Sequence, residues 1–328
     1  MYKARSVYLS LIARQFPIRA KKLSLVRRLE RFLDNGAIRV REWYKPVAAS
    51  LLKAASSDGQ VHLVIDATKV GRGHQLLMVA VAYRRRALPL AWTWIRTRSG
   101  HSTVSKQVAL LTYVYSLLPE GIQISLAGDG EFGNVGLLRQ LDIWGWDYAL
   151  RLKGTRRFWP YQARHLYRLD RQKLKPGTIW WLGRVNLTAS NPYITNLVLY
   201  RAHGEPAPWY LATNLPSPHG AIMLYRRRMW IEEMFGDVKG HGFDLEATRL
   251  GTFLRLSRLT LAICLVYLWL VATGEHVMAT NQASEVDRND RRDLSIFRIG
   301  WDFIERRLAL DDPIPITFVP NISSATGD

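Results

Sequence analysis

The 328-residue chain has a single cysteine, Cys264, and it lies in an apolar run. That excludes a disulfide framework and a cysteine-based zinc site, and makes a reducing cytoplasm the natural setting. Acidic residues are scarce beside basic ones: 27 Asp and Glu against 46 Lys and Arg leave a formal charge of +19. An imbalance of this size points to a polyanionic partner, nucleic acid ahead of an acidic membrane leaflet. Long hydrophobic runs are missing as well. The best candidate span, 259–273, offers about 15 residues where about 20 are needed, so a buried helix and no membrane partner are expected. The basic N-terminus MYKARSVYLSLIARQF is broken by polar residues every few positions, unlike a secretory signal. No internal repeat is visible. What remains, 48% apolar and 22% charged residues, is a globular composition.

Residues 1–60 carry helical periodicity. Tyr8, Leu9, Leu11, Ile12 and Phe16 recur at helical spacing, and SLVRRLERFLDNG puts Leu25, Leu29, Phe32 and Leu33 on one face with Arg27, Arg28 and Arg31 among the charges opposite. A small basic helical region suits DNA docking and equally suits a solvated cap. From Val61 the pattern turns to strands: VHLVIDATKV, LLMVAVAYRR and ALPLAWTWIR form a meander, followed by a helix over 102–118, a strand ending at Asp129, a helix from Val135 and a strand DYALRLKG. That order predicts an α/β mixed sheet. Between 155 and 217 only strand-like segments occur, around 177–187, 193–201 and 209–213. A helix over 224–240, the buried helix, and a tail with a charged linker (285–293), one amphipathic helix and a loose Pro-rich end complete the chain.

The segment 224–240, LYRRRMWIEEMFGDVKG, carries the most informative pattern. On a continuous helix Tyr225, Arg228, Glu232 and Lys239 fall at about 0, 300, 340 and 320°, a narrow polar stripe beside a core-facing one. A carboxylate flanked by cations suits a metal ligand next to phosphate. Two further carboxylates, Asp66 and Asp129, end apolar strands. A carboxylate there is costly to desolvate unless paired or bound to a cation, and two such ends side by side would repel each other without one. Oxygen-seeking Mg²⁺ or Mn²⁺ resolves the repulsion. Glu131, Glu233 and Asp237 are neighbouring alternatives, but Glu233 and Asp237 lie off the stripe; His74 and His101 read as solvated loop residues. Gly128, Gly130 and Gly133 match GxGxxG, yet Asp129 would oppose a pyrophosphate, so the glycines are read as a turn admitting a metal-bound phosphate.

Tyr225, two residues, Arg228, three residues, Glu232, six residues, Lys239 is the complete Y(2)R(3)E(6)K signature. With RRLERFL, the VIDATKV segment and GDGEFGN upstream, the chain resembles the DDE transposases of the insertion-sequence 4 group. The resemblance implies a ribonuclease H-like mixed sheet flanked by helices and interrupted by a β-rich insertion, with an N-terminal helical region. The divisions would be 1–60 for DNA docking, 61–154 and 218–275 for the core, 155–217 for the insertion and 276–328 for a helical tail. It implies cut-and-paste transposition of a bacterial insertion sequence: cleavage at the transposon ends, a hairpin intermediate and strand transfer, with two Mg²⁺ or Mn²⁺ ions on Asp66, Asp129 and Glu232. Arg228, Lys239 and Tyr225 would contact the DNA backbone, and Trp180 or Trp181, with Trp209 as alternative, would stack on a flipped base, although a packed core tryptophan is the commoner role for each. Partners would be transposon-end and target DNA and a second copy in a synaptic homodimer, although the tail is shorter than the dimerisation region of the better-studied members. Two other readings are a DNA-binding protein without catalysis and a ribonuclease H-like nuclease without transposition.

Overall fold

A computed structural model describes residues 1–322 except 72, 97–99, 162, 164, 189–191, 289 and 290. Parts of the expected charged linker and the last six residues, 323–328, therefore lie outside the described residues. Three helices come first: α1 (Leu9–Arg14), α2 (Lys22–Asp34) and α3 (Val40–Ala55). They are not a free-standing head. Arg258 donates to the carbonyls of Leu33 and Ile38, Arg255 pairs with Asp34, and the Tyr44 hydroxyl donates to the Pro89 carbonyl at 2.7 Å. Arg27, Arg28 and Arg31 stay on the exposed face of α2.

The meander follows as β1 (Gln60–Val70), β2 (His74–Tyr83) and β3 (Arg86–Arg96), then α4 (Val104–Tyr115), β4 (Gln123–Gly128), α5 (Val135–Trp144) and β5 (Asp147–Arg151). β1 runs antiparallel to β2 and parallel to β4, and β4 runs parallel to β5. The order β3-β2-β1-β4-β5, with helices supplying the crossovers, is a ribonuclease H-like core. The central strands are apolar on both faces, as strands covered on both sides must be: β2 is buried at all but two of its positions.

The segment from 155 does not make a second sheet. Strands β6 (Arg157–Pro160), β7 (Tyr167–Arg168), β8 (Thr178–Leu187), β9 (Tyr193–Arg201) and β10 (Trp209–Thr213) continue the same sheet in the order β5-β10-β9-β8-β6-β7. β10 joins the two parts by pairing antiparallel with β5 and β9. The short β6 and β7 escape sequence reading because two to four residues carry no periodicity.

The expected single helix over 224–240 is two: α6 (Pro218–Arg226) and α7 (Met229–Val238). Between them the amides of Arg227, Arg228, Trp230 and Ile231 bond three residues back, to Leu224, Tyr225, Arg227 and Arg228. This is a 3₁₀ junction, turning about 120° per residue instead of 100°. Several tightened residues rotate Tyr225 well away from Glu232, and Lys239, the residue after α7, leaves helical geometry (φ −98°, ψ −121°). Only Arg228 and Glu232 keep their shared face.

Helix α8 (Phe253–Ala279) runs 27 residues, well beyond the expected apolar run. By length and composition alone it could cross a membrane, but 72% of its most apolar window is buried inside the protein. α9 (Ile296–Ala309) crosses it at two glycines: a Cβ on Gly274 would lie 1.9 Å from the Ile296 carbonyl oxygen, and one on Gly300 1.9 Å from that of Leu270. Beyond α9 the chain is not loose as far as residue 322. Trp269 Nε1 donates to the Pro315 carbonyl at 2.8 Å, and Ile314 and Val319 pack on the core.

Candidate active site

Parallel pairing of β1 with β4 puts Ile65 opposite Gly128. The next residues are Asp66 and Asp129; Asp129 follows the last residue of β4, whereas Asp66 does not end its strand as expected, since β1 runs on to Val70 paired with β2. The two acids therefore lie side by side at the level where β4 stops, on strands spaced about 4.8 Å apart. Asp66 is buried, with one oxygen accepting the Ala67 amide at 2.7 Å; Asp129 accepts the Glu131 amide at 2.9 Å. Burial, and then the charge of Asp129, push the Asp66 carboxyl up to about 7. Burial also raises that of Asp129. Two desolvated acids held together in this way favour a cation beside them.

The third acid arrives on α7. Arg228, buried at the 3₁₀ junction, places Nη1 2.5 Å from Glu232 Oε1 and 3.7 Å from Asp66 Oδ2. Burial works against the guanidinium charge, but Tyr225, Glu232 and Asp66 outweigh it. One guanidinium nitrogen thus stands between Asp66 and Glu232, and both Arg228 and Glu232 act electrostatically on Asp129. The set fits a hard divalent cation in kind, with carboxylate oxygens and no soft donor. Its arrangement is incomplete: among the described residues no three His, Cys, Asp or Glu side chains converge on one point.

The neighbouring acids are committed elsewhere. Glu131 accepts the Ser102 amide at 2.5 Å and bonds to the Ser102 hydroxyl, with Gln75 and His101 nearby, so it ties down the loop before α4. Glu233 and Asp237 both face Arg86, at 3.4 and 2.7 Å. This clamp decides which glutamate of the adjacent pair turns to the aspartates. Sequence reasoning missed Arg86, and no local signal could have revealed it, because Asp237 lies 151 positions away.

The geometry differs from the expected stripe and turn in three places. Tyr225 is 1% exposed and packs edge-on against Trp209 (centroids 4.9 Å apart), with the Arg228 guanidinium 5.6 Å from its ring. It backs Arg228 from below the surface. Lys239 is drawn off the stripe into an ion pair with Glu246 at 2.8 Å. Two of the three glycines serve packing and not a phosphate approach: a Cβ on Gly128 would meet Ile65 at 2.9 Å, and one on Gly133 the Arg151 carbonyl oxygen at 2.1 Å, while Gly130 is crowded by nothing nearer than Lys153 at 3.7 Å. Gly128 and Gly133 admit neighbouring strands, and Asn134 caps α5 by accepting the Leu137 amide.

The tryptophans separate. Trp209 is packed between Tyr200 and Tyr225, whereas Trp180 and Trp181 are each 38% exposed, against the commoner expectation of core packing. Adjacent strand residues should face opposite ways; both are open because this part of β8 is exposed on both faces and bulges between Trp181 and Gly183. Five strand positions separate β8 from β1, roughly 24 Å at the usual spacing, so the fold does not gather these rings at the carboxylates.

No curated protein matches the chain. Among solved structures, a piggyBac transposase synaptic complex with hairpin DNA aligns at a TM-score of 0.42 and 13% identity, over 81% of this chain. The chain spans 59% of that transposase's length. At this distance the likeness carries no weight. The family model described as the transposase DDE domain, however, matches residues 58–269, from the start of β1 into α8, and the chain therefore belongs to the DDE transposase family.

Proposed function

We propose that the protein is the transposase of a bacterial insertion sequence of the insertion-sequence 4 group. It would cut transposon ends and join them to target DNA by a cut-and-paste route with a hairpin intermediate. The observation that carries this reading is the pair Asp66 and Asp129 on adjacent parallel strands, with Glu232 within reach of the same guanidinium nitrogen as Asp66. The spacing Tyr225, Arg228, Glu232, Lys239 supports the group assignment.

Asp66, Asp129 and Glu232 would hold the cofactor, for which Mg²⁺ or Mn²⁺, two ions, suits an all-carboxylate set. The chemistry such a pair supplies is Lewis-acid stabilisation of the attacking and leaving oxygens in phosphoryl displacement. Arg228 offers a planar fork to a backbone phosphate and Lys239 a point charge. Tyr225 positions Arg228. Trp180 and Trp181, exposed on β8, are open to stacking on an unpaired base, and the arginines of α2 are free to meet the duplex. We read residues 1–60 as the docking region, 61–154 and 218–275 as the core, 155–217 as the insertion and 276–328 as the tail. The working form is a homodimer holding two ends, in the cytoplasm at the nucleoid.

The test is nicking and joining on a duplex of the element's own end. Wild type should nick with Mg²⁺ and yield joined products, and Asp129→Asn should bind without nicking. Absence of nicking by wild type rejects the enzyme; nicking without joining leaves a nuclease.

A further inference from the structure

The acid needed to complete the cluster is held by a cation of the chain itself. Glu232 Oε1 lies 2.5 Å from Arg228 Nη1, and the same nitrogen reaches toward Asp66 at 3.7 Å. Among the described residues no three ligand-type side chains converge, although Asp66 and Asp129 are neighbours. The side chains differ in freedom. Asp66 is 12% exposed and fixed by its strand, whereas the Glu232 side chain is 45% exposed on a helix face and has room to swing. Arg228 cannot relieve the conflict by losing its proton, because a guanidinium stays charged. Its charge opposes a dication at the aspartates for as long as it stands there. A backbone phosphate is the natural competitor, since it accepts two parallel hydrogen bonds from a fork that now gives one nitrogen to a single Glu232 oxygen and the other to the weakly accepting Met229 sulfur.

We propose that Arg228 is a latch that couples divalent-cation binding to DNA binding. Without DNA it occupies Glu232 and screens Asp66. A docked phosphate takes over the guanidinium, and Glu232 is released to join Asp66 and Asp129. The inference rests on reading the three acids as the metal ligands. By linkage, cation and DNA each tighten the other by the same factor. The buried backing of Tyr225 and the 3₁₀ junction keep the guanidinium near the cluster in both states, so only its partner changes.

The experiment is Mn²⁺ binding followed by the electron paramagnetic resonance of the free ion, on the full chain, with and without a blunt duplex of the DNA flanking the coding sequence. Binding to duplex alone is subtracted. The latch predicts that the wild type binds Mn²⁺ about tenfold more tightly with duplex than without, within the usual range of coupling, and that Asp66→Asn removes this binding. It also predicts that Arg228→Met binds Mn²⁺ without DNA about as tightly as wild type does with it. Asp66-dependent binding of equal strength with and without duplex overturns the latch. So does an Arg228→Met protein that binds no more tightly than DNA-free wild type. Should that variant not fold, the wild-type comparison decides alone. Mn²⁺ binding that ignores Asp66→Asn in every state overturns the metal-ligand reading beneath it.

Discussion

Asp66 is the residue through which pH reaches the site. Its carboxyl is pushed up to about 7 by burial and by Asp129, from the usual value near 4 in an unfolded chain. Between those values the native state binds the proton and the unfolded state does not, so without metal the stability falls as pH rises from about 4 to about 7 and levels off above. Asp66→Asn removes that slope. In chelator, the melting temperature of Asp66→Asn should therefore gain on wild type across this window and hold a constant lead beyond it; a lead that shrinks with rising pH would contradict the assignment. Arg228 and Lys239 are each held by a carboxylate, Glu232 and Glu246, that a phosphate must displace. If each meets one phosphate, Arg228→Ala and Lys239→Ala each flatten the slope of log K against log salt by about 0.9, measurable by fluorescence anisotropy across a salt series.

Two packing details govern how the elements hold the site. The Arg86 clamp sets the rotation of α7 about its axis: Asp237, 5% exposed, and Glu233 both turn to Arg86, which leaves Glu232 for the cluster. Replacing Arg86 with Met strands a buried carboxylate, and a loss of about 3–5 kcal/mol in urea unfolding is expected. Joint replacement of Arg86 by Met and Asp237 by Leu should restore much of it, because an apolar pair needs no counter-charge. The α8–α9 crossing is the second detail. Neither Gly274 nor Gly300 has room for a methyl against the facing carbonyl oxygen, so Gly300→Ala must push the helices apart at a cost of about 1–3 kcal/mol, read from the denaturation midpoint. The same substitution at Gly36, where nothing lies within 4 Å, is the control.

For the whole molecule, charge and sheet length act together. A net charge of +19 serves a polyanion along an extended surface, and the ten-stranded sheet supplies extent, with exposed tryptophans on a strand roughly 24 Å from the carboxylates. Trp180→Ala and Trp181→Ala should leave melting almost unchanged, because the rings are open, while weakening binding to a duplex with an unpaired terminal base by about 1–3 kcal/mol if a base stacks there. Equal loss on fully paired duplex would assign the rings to another surface.

The strand and helix order, the basic charge and the three acids could be read from local pattern: alternation and apolar runs mark strands and helices, and a carboxylate ending an apolar run is conspicuous wherever it lies. What local pattern could not carry was angle and partner. A uniform 100° per residue set Tyr225, Arg228, Glu232 and Lys239 in one stripe, but the 3₁₀ junction sent Tyr225 into the core and the end of α7 released Lys239 to Glu246. Glu232 could be preferred over Glu233 by helix angle, and its i,i+4 contact with Arg228 is local, but Glu233 and Asp237 turn to Arg86, a residue far away in sequence. The continuity of the β-rich segment with the core sheet likewise depends on β10 meeting β5, a pairing across 60 or more positions that no window of sequence contains. Periodicity encodes which face of an element is apolar; only packing between distant elements decides which polar groups then meet.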